Sequence, residues 1–256
     1  MSAGTKTLTT EEVENALADL PTTRVGTEME YKWLLDLDSF PQIDGEDVLS
    51  RLQDLVPPPA GMKLGSPFVH TQSSVYFDDD WLLTERDLTL KIIVNHGSFS
   101  NVSWICAKQT ISWIDGCRDA LEISERITPG EATQIIRSHA ALPIDYIDRQ
   151  CGKRVNLQPY ATATQVRHKL PFHGPDGSIL QLTFDRTTNR SLASEETCQD
   201  TWIEIETPHS DLRSRGGLIG WAAAMTELLQ KSPHQMSKSE REARRARRDS
   251  TIGDQS

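Results

Sequence analysis

The chain has 256 residues, of which 37% are hydrophobic and 25% charged, a balance that suits a globular protein and excludes a disordered polymer. No run approaches the roughly 20 apolar residues that cross a bilayer, and MSAGTKTLTTEEVENAL at the N-terminus lacks the apolar segment of a secretion signal, so a cytoplasmic protein with no membrane partner is expected. A net charge of −10 argues against a general nucleic-acid binder, although Lys238, Arg241, Arg244, Arg245, Arg247 and Arg248 crowd the C-terminus and leave the body more acidic than the total.

In chain order, Thr9 and Glu12 form a capping-box pattern that opens a short helix to about Leu20, which Pro21 ends. Residues 24–37 begin with strand-like alternation. Asp44 to Val56 has helical spacing and stops at Pro57-Pro58-Pro59. Strands are then expected at VHTQSSVYFD, DLTLKIIV, VSWICAKQTI and ALEISERI, separated by turn signals that include Asp115-Gly116. Pro129-Gly130-Glu131 opens a second helix to about His139. Three more strands follow, ATATQVRHKLPF, SILQLTFDRTT and DTWIEIET, with a hairpin turn at His173–Gly177 between the first two. Leu212–Lys231 is the longest helix, and the charged segment beyond Pro233 reads as a solvated or disordered tail. Many strands with few helices between them predict an α+β fold whose antiparallel sheet of about eight strands closes into a barrel, with helices outside.

Side chains two apart on a strand share a face. Glu28, Glu30 and Lys32 therefore lie together, as do Gln181, Thr183 and Asp185, Glu204 and Glu206, Glu122, Ser124 and Arg126, and Arg167 and Lys169. For one strand a water-facing sheet face explains this. Taken together, strand after strand centres a carboxylate or a cation, and two strands carry Glu-x-Glu. Like charges on one face repel unless something neutralises them. Clustered carboxylates suit Mg²⁺ or Mn²⁺, and interleaved Lys and Arg suit phosphate oxygens. That pairing points to phosphoryl-transfer chemistry. There is no G-x-x-x-x-G-K phosphate loop. The histidines are scattered away from any Ser or Cys motif, and Cys106, Cys117, Cys151 and Cys198 show no metal-ligand spacing, so neither triad nor zinc chemistry is expected.

Glu28-Met29-Glu30-Tyr31-Lys32 resembles the E-x-E-x-K signature of the CYTH, or triphosphate tunnel metalloenzyme, superfamily, which includes inorganic and thiamine triphosphatases. Tyr76-Phe77-Asp78, Leu88-Thr89-Leu90-Lys91, Ala107-Lys108, Gln165-Val166-Arg167, Asp185 and Glu204-Ile205-Glu206 are similar, in order and spacing, to its later segments over about residues 24–210. Thr89 stands where the superfamily usually has an arginine, so either the tunnel loses one phosphate contact or another residue such as Lys169 or Arg126 replaces it. The superfamily's histidine-rich CHAD partner domain is not expected within this length. The resemblance implies a lead-in at 1–22, a tunnel domain at 23–235 and a basic disordered tail at 236–256. It implies Glu28, Glu30, Lys32 and Arg167 as catalytic residues, with Glu28, Glu30, Asp185, Glu204 and Glu206 holding Mg²⁺ or Mn²⁺. Lys32, Lys91, Lys108, Glu122, Arg126, Arg167 and Lys169 would bind substrate. The implied reaction is hydrolysis of a small triphosphate or polyphosphate, with nucleic acid a partner only through a 5′-triphosphate end. Polyphosphate synthesis, ATP cyclisation and non-catalytic sensing of a nucleotide or polyphosphate are the alternatives.

Overall fold

A computed structural model describes residues 22–36, 47–97, 102–194, 196–207 and 212–253; the helix expected near Thr9 lies outside them. The strands are β1 (Thr23–Leu35), β2 (Lys63–Leu64), β3 (Phe68–Asp78), β4 (Leu88–Asn95), β5 (Ser103–Ile114), β6 (Cys117–Ile127), β7 (Gln158–His173), β8 (Ile179–Ser191) and β9 (Thr197–Thr207). The helices are α1 (Val48–Leu55), α2 (Ala132–Ser138), α3 (Leu142–Cys151), α4 (Leu212–Leu229) and α5 (Lys238–Gly253). Strands pair antiparallel in the order β7-β3-β4-β5-β6-β1-β9-β8, and β8 pairs back to β7. The sheet is therefore a closed eight-stranded barrel, as expected. Short β2 lies outside that ring and extends the β7 edge at Lys63↔His173.

The barrel has inverted polarity. Outward side chains are the apolar ones. On one side, Trp33, Phe184, Ile203 and Ile205 pack under Leu218, Trp221 and Met225 of α4 and Leu52 of α1. On the other, Leu88, Leu90, Ile92 and Ile105 pack under Ile144 and Ile147 of α3. The inward face carries the charges. Closure leaves no edge strand in the ring, so the ladders satisfy the backbone outside two register breaks, at Tyr76/Phe77 and Thr110/Ser112, and the interior can stay polar. Parity then forces this arrangement, because a one-residue register slip would exchange the two faces.

Local signals explain most element boundaries. Asp47 caps α1 by accepting from the Ser50 amide at 3.3 Å. Thr128 and Glu131 form a reciprocal capping box ahead of α2. Asp115 and Gly116, both with positive φ (51° and 81°), make the tight β5–β6 turn. α3 has no counterpart among the expected elements. Pro143 starts it, Gly152 at φ 68° ends it, and Ile144, Ile147 and Cys151 form its buried stripe. Over ten residues, that stripe is too short to stand out from a loop in sequence.

The expected disordered tail is a correction. Lys238–Gly253 is helical and lies against the barrel, because Lys238, Arg241 and Arg245 fall at helical spacing on one face and meet barrel carboxylates.

Trp33 has no exposed surface, and its indole donates to the Lys231 carbonyl at 3.0 Å. Trp33→Ala should cost about 3–5 kcal/mol, read as a lower urea midpoint with an unchanged slope.

Candidate active site

Cross-strand register brings the inward charges into one layer. Glu30 lies opposite Glu206 and Lys32 opposite Glu204 across β1 and β9; Glu30 also faces Arg118 on β6. Lys108 faces Glu122, and Arg167 faces Asp185. Glu28, Glu30, Lys32, Lys91, Lys108, Arg167, Glu204 and Glu206 line one cavity. Glu122 and Asp185 join it through ion pairs with its lining, and Lys169 acts on Arg167 and Glu206 from beside it. Arg126 does not line the cavity; it sits near the rim, opposite Trp104 in register.

Most of these charges neutralise one another. Lys32 reaches Glu30 at 2.5 Å and Glu204 at 3.4 Å. Lys108 bridges Glu28 at 2.6 Å and Glu122 at 2.7 Å. Arg167 holds Asp185 at 2.9 Å and Glu204 at 3.3 Å. Burial pushes the Glu30 carboxyl up, but Lys32 and then Arg118 outweigh it and hold the pKa down at about 2. Glu122 sits at about 2 because Lys108 overcomes burial.

Two features depart from that balance. Burial, with the Glu28 carboxylate beside it, raises Glu206 to about 8 against the pull of Lys169 and Arg167. Gln181 donates to Glu206. Burial also lowers the pKa of Lys91 and Lys169, Lys169 further through Arg167, and among the described residues neither makes an ion pair. The tunnel thus holds surplus negative repulsion at one place and undercompensated cations nearby.

Three residues that the sequence reading missed belong to the site. Arg118 donates to Glu30 at 2.9 Å. It shares parity with Glu122, and extending the sixth strand back from Ala120 to Cys117 would have found it. Gln165, with Gln72 donating to it at 2.7 Å, lines the wall between β7 and β3. Lys238 enters from α5 and reaches Asp185 at 2.5 Å and Glu204 at 3.1 Å. The next residue, Ser239, bonds the Thr89 hydroxyl at 2.8 Å. Lys238 thus brings a cation from the C-terminal helix to the cavity that Thr89 also lines, and Lys108 is the register partner of Thr89. Arg241 and Arg245 clamp α5 to Asp200 at 3.2 and 2.9 Å, so the helix covers one end of the barrel.

Three carboxylates, Glu28, Glu30 and Glu206, offer oxygens that all lie within 4.8 Å of one another. This all-oxygen, acidic set fits a hard divalent ion such as Mg²⁺ or Mn²⁺, and such an ion would relieve the repulsion that raises Glu206. Asp185 and Glu204, expected beside them, are engaged instead by Arg167 and Lys238. Cys198, Asp200 and Glu242 also converge, but the Arg245 guanidinium already occupies that cluster.

No family model and no curated protein matches the sequence. Solved structures do match the fold. HpAC1 from Hippeastrum, described as an adenylyl cyclase candidate with a dominant triphosphatase activity, is 15% identical and superposes with a TM-score of 0.52 over 82% of this chain and 92% of that one. PH1819 from Pyrococcus horikoshii OT3 is 14% identical, covering 83% and 96%, with a TM-score of 0.48. The S. pombe Pct1 RNA triphosphatase is 11% identical, covering 87% and 92%, with a TM-score of 0.39. The architecture is that of the CYTH-like tunnel proteins, and at these identities the likeness concerns the fold alone.

Burial pushes the Glu242 carboxyl up to about 7, with Arg245 opposing and Asp200 adding to the rise. A carboxyl raised above its unfolded value of 4.5 contributes stability that is complete below that value and lost as pH rises through about 7. Glu242→Gln should therefore melt higher than wild type at pH 8 and match it at pH 5. A variant equally destabilised at both would show that the charged Glu242–Arg245 pair matters more than its burial.

Proposed function

We propose that this protein hydrolyses a triphosphate to diphosphate and phosphate with a divalent metal ion. One observation carries the reading: three mutually repelling carboxylates converge inside a closed tunnel whose neighbouring lysines, Lys91 and Lys169, have no carboxylate partner among the described residues. Metal at the first and phosphate at the second relieve both costs together. Seven central cations (Lys32, Lys91, Lys108, Arg118, Arg167, Lys169, Lys238) face six carboxylates (Glu28, Glu30, Glu122, Asp185, Glu204, Glu206), a formal charge near +1. One or two divalent ions bring this close to the charge of an ionised triphosphate. The fold is shared with HpAC1, a protein described by its triphosphatase activity, which supports the same reading.

Glu28, Glu30 and Glu206 would hold the ion, which supplies Lewis acidity at a phosphoryl oxygen and lowers the pKa of water. Lys91, Lys108, Arg167 and Lys169 bind phosphate oxygens and spread the charge that develops on them. The ion pairs of Lys108 and Arg167 fix those side chains before substrate arrives, so little reorganisation is needed. Water attacks the terminal phosphorus, the bridging P–O bond breaks and diphosphate leaves. The helix across one end weighs against threading a growing polymer, and so against polyphosphate synthesis. The surrounding walls exclude bulk water, which strengthens each of these contacts.

Phosphate release from inorganic triphosphate should stop in excess chelator and return with Mn²⁺ or Mg²⁺; full turnover in chelator would refute the metal role. Glu206→Gln should lower kcat on the order of 10²-fold. Lys91→Met removes a cation with no carboxylate partner, so the empty variant should melt no lower than wild type. Metal with triphosphate should raise the wild-type Tm by mass action, and the Lys91→Met gain should be smaller.

A further inference from the structure

α5 is fastened to the barrel by a buried cluster whose charges match in number but not in reach. Asp200 of β9 takes both arginines of the helix. Arg245 grips it with two nitrogens, at 2.9 and 3.0 Å, and Arg241 with two more, at 3.2 and 3.4 Å. Asn189 of β8 donates to it as well, at 3.3 Å. Glu242 is only 5% exposed, and among the described residues its hydrogen-bond partner is Arg245 Nη1, at 2.7 Å. That same nitrogen lies 2.9 Å from Asp200 and 2.6 Å from the Cys198 sulfur. Two N–H groups therefore serve three acceptors. The other groups that face Glu242 bring no positive charge. Cys198 on β9, Tyr76 on β3 and Tyr160 on β7 are each pushed up by burial and stay neutral. Arg241 favours the Glu242 charge more weakly than Arg245 does, and Asp200 opposes it.

The first turn of the helix is tied to the tunnel. Lys238, one turn before Glu242, lies 2.5 Å from Asp185 and 3.1 Å from Glu204, and Ser239 bonds Thr89 at 2.8 Å. A second polar pocket, lined by Thr84, Asp87 and Thr110, shares Thr89, Arg118, Ser237 and Ser239 with the tunnel cavity, so this turn stands between the two. We propose that α5 is a pH-sensitive latch: it docks with Glu242 protonated and loosens when Glu242 ionises, which withdraws Lys238 from Asp185 and Glu204 and joins the two cavities. A second carboxylate charge beside Asp200 has no cation of its own, and a buried ion without a partner is expensive. Water relieves that cost once the helix lifts. Burial pushes the docked Glu242 carboxyl up to about 7 against the pull of Arg245, and in a lifted helix it returns towards its ordinary 4.5. The docked form then holds the proton more tightly. Its advantage is complete below 4.5 and is lost as pH rises through about 7, by about tenfold per pH unit between the two values. The latch goes beyond the triphosphatase reading and does not rest on it.

Amide hydrogen exchange, expressed as protection relative to the intrinsic rate at each pH, tests this on the full chain without ligand. Wild type and Glu242→Gln would be followed from pH 5 to pH 8, with the amides of β4 as the reference for the barrel. In wild type the protection of Lys238–Gly253 should fall on the order of 10²-fold over that range, while that of β4 holds. Glu242→Gln, which stays neutral, should keep at pH 8 the protection that wild type has at pH 5. Protection of α5 that does not change with pH in wild type would overturn the latch. So would a Glu242→Gln helix that loosens in step with wild type. Parallel loss in β4 would show that the whole fold responds to pH rather than the helix contact, and would overturn it too. If Glu242→Gln does not fold, the wild-type series alone still decides, through α5 measured against β4.

Discussion

The structure depends on compensated charge burial. An unpaired ion taken out of water costs several kcal/mol, and even a good pair often only breaks even. The tunnel places opposite charges at facing register positions, Lys32 with Glu204, Lys108 with Glu122 and Arg167 with Asp185, so that each of these three cations answers a carboxylate on the neighbouring strand. The apolar outer shells, under α1 and α4 on one side and α3 on the other, supply the burial that offsets this polar interior. The charges left in excess, at Glu206, Lys91 and Lys169, are where the fold leaves work for ligands.

α5 is held by the same currency of charge. Asp200 accepts from both Arg241 and Arg245, which fixes the helix across one end, and Lys238 follows into the tunnel. The two ends differ in chemistry. Carboxylates and guanidinium groups lie at the end under α5, and aromatic rings with cations lie at the other.

Much of the site was legible because strand parity is strict. Glu28, Glu30 and Lys32 share a face by spacing alone, and Glu204 with Glu206 likewise. The strands, the Asp115-Gly116 turn and closure near eight strands follow from alternation and turn chemistry. Parity cannot say which strands are neighbours. Glu206 meets Glu28 and Glu30 only because β9 pairs with β1, strands about 170 residues apart. Asp185 and Glu204 carry the same residue types but pair with Arg167 and Lys238, neighbours that parity alone does not name.

The sequence by itself determined the barrel's two faces and the kind of chemistry its interior holds, since both follow from local periodicity and residue type. It also held the helical spacing of Lys238, Arg241, Glu242 and Arg245, but a charged helix with that spacing is equally stable facing water. Only tertiary structure decided that this face docks, because its partner, Asp200, is buried on a strand that must first close the barrel.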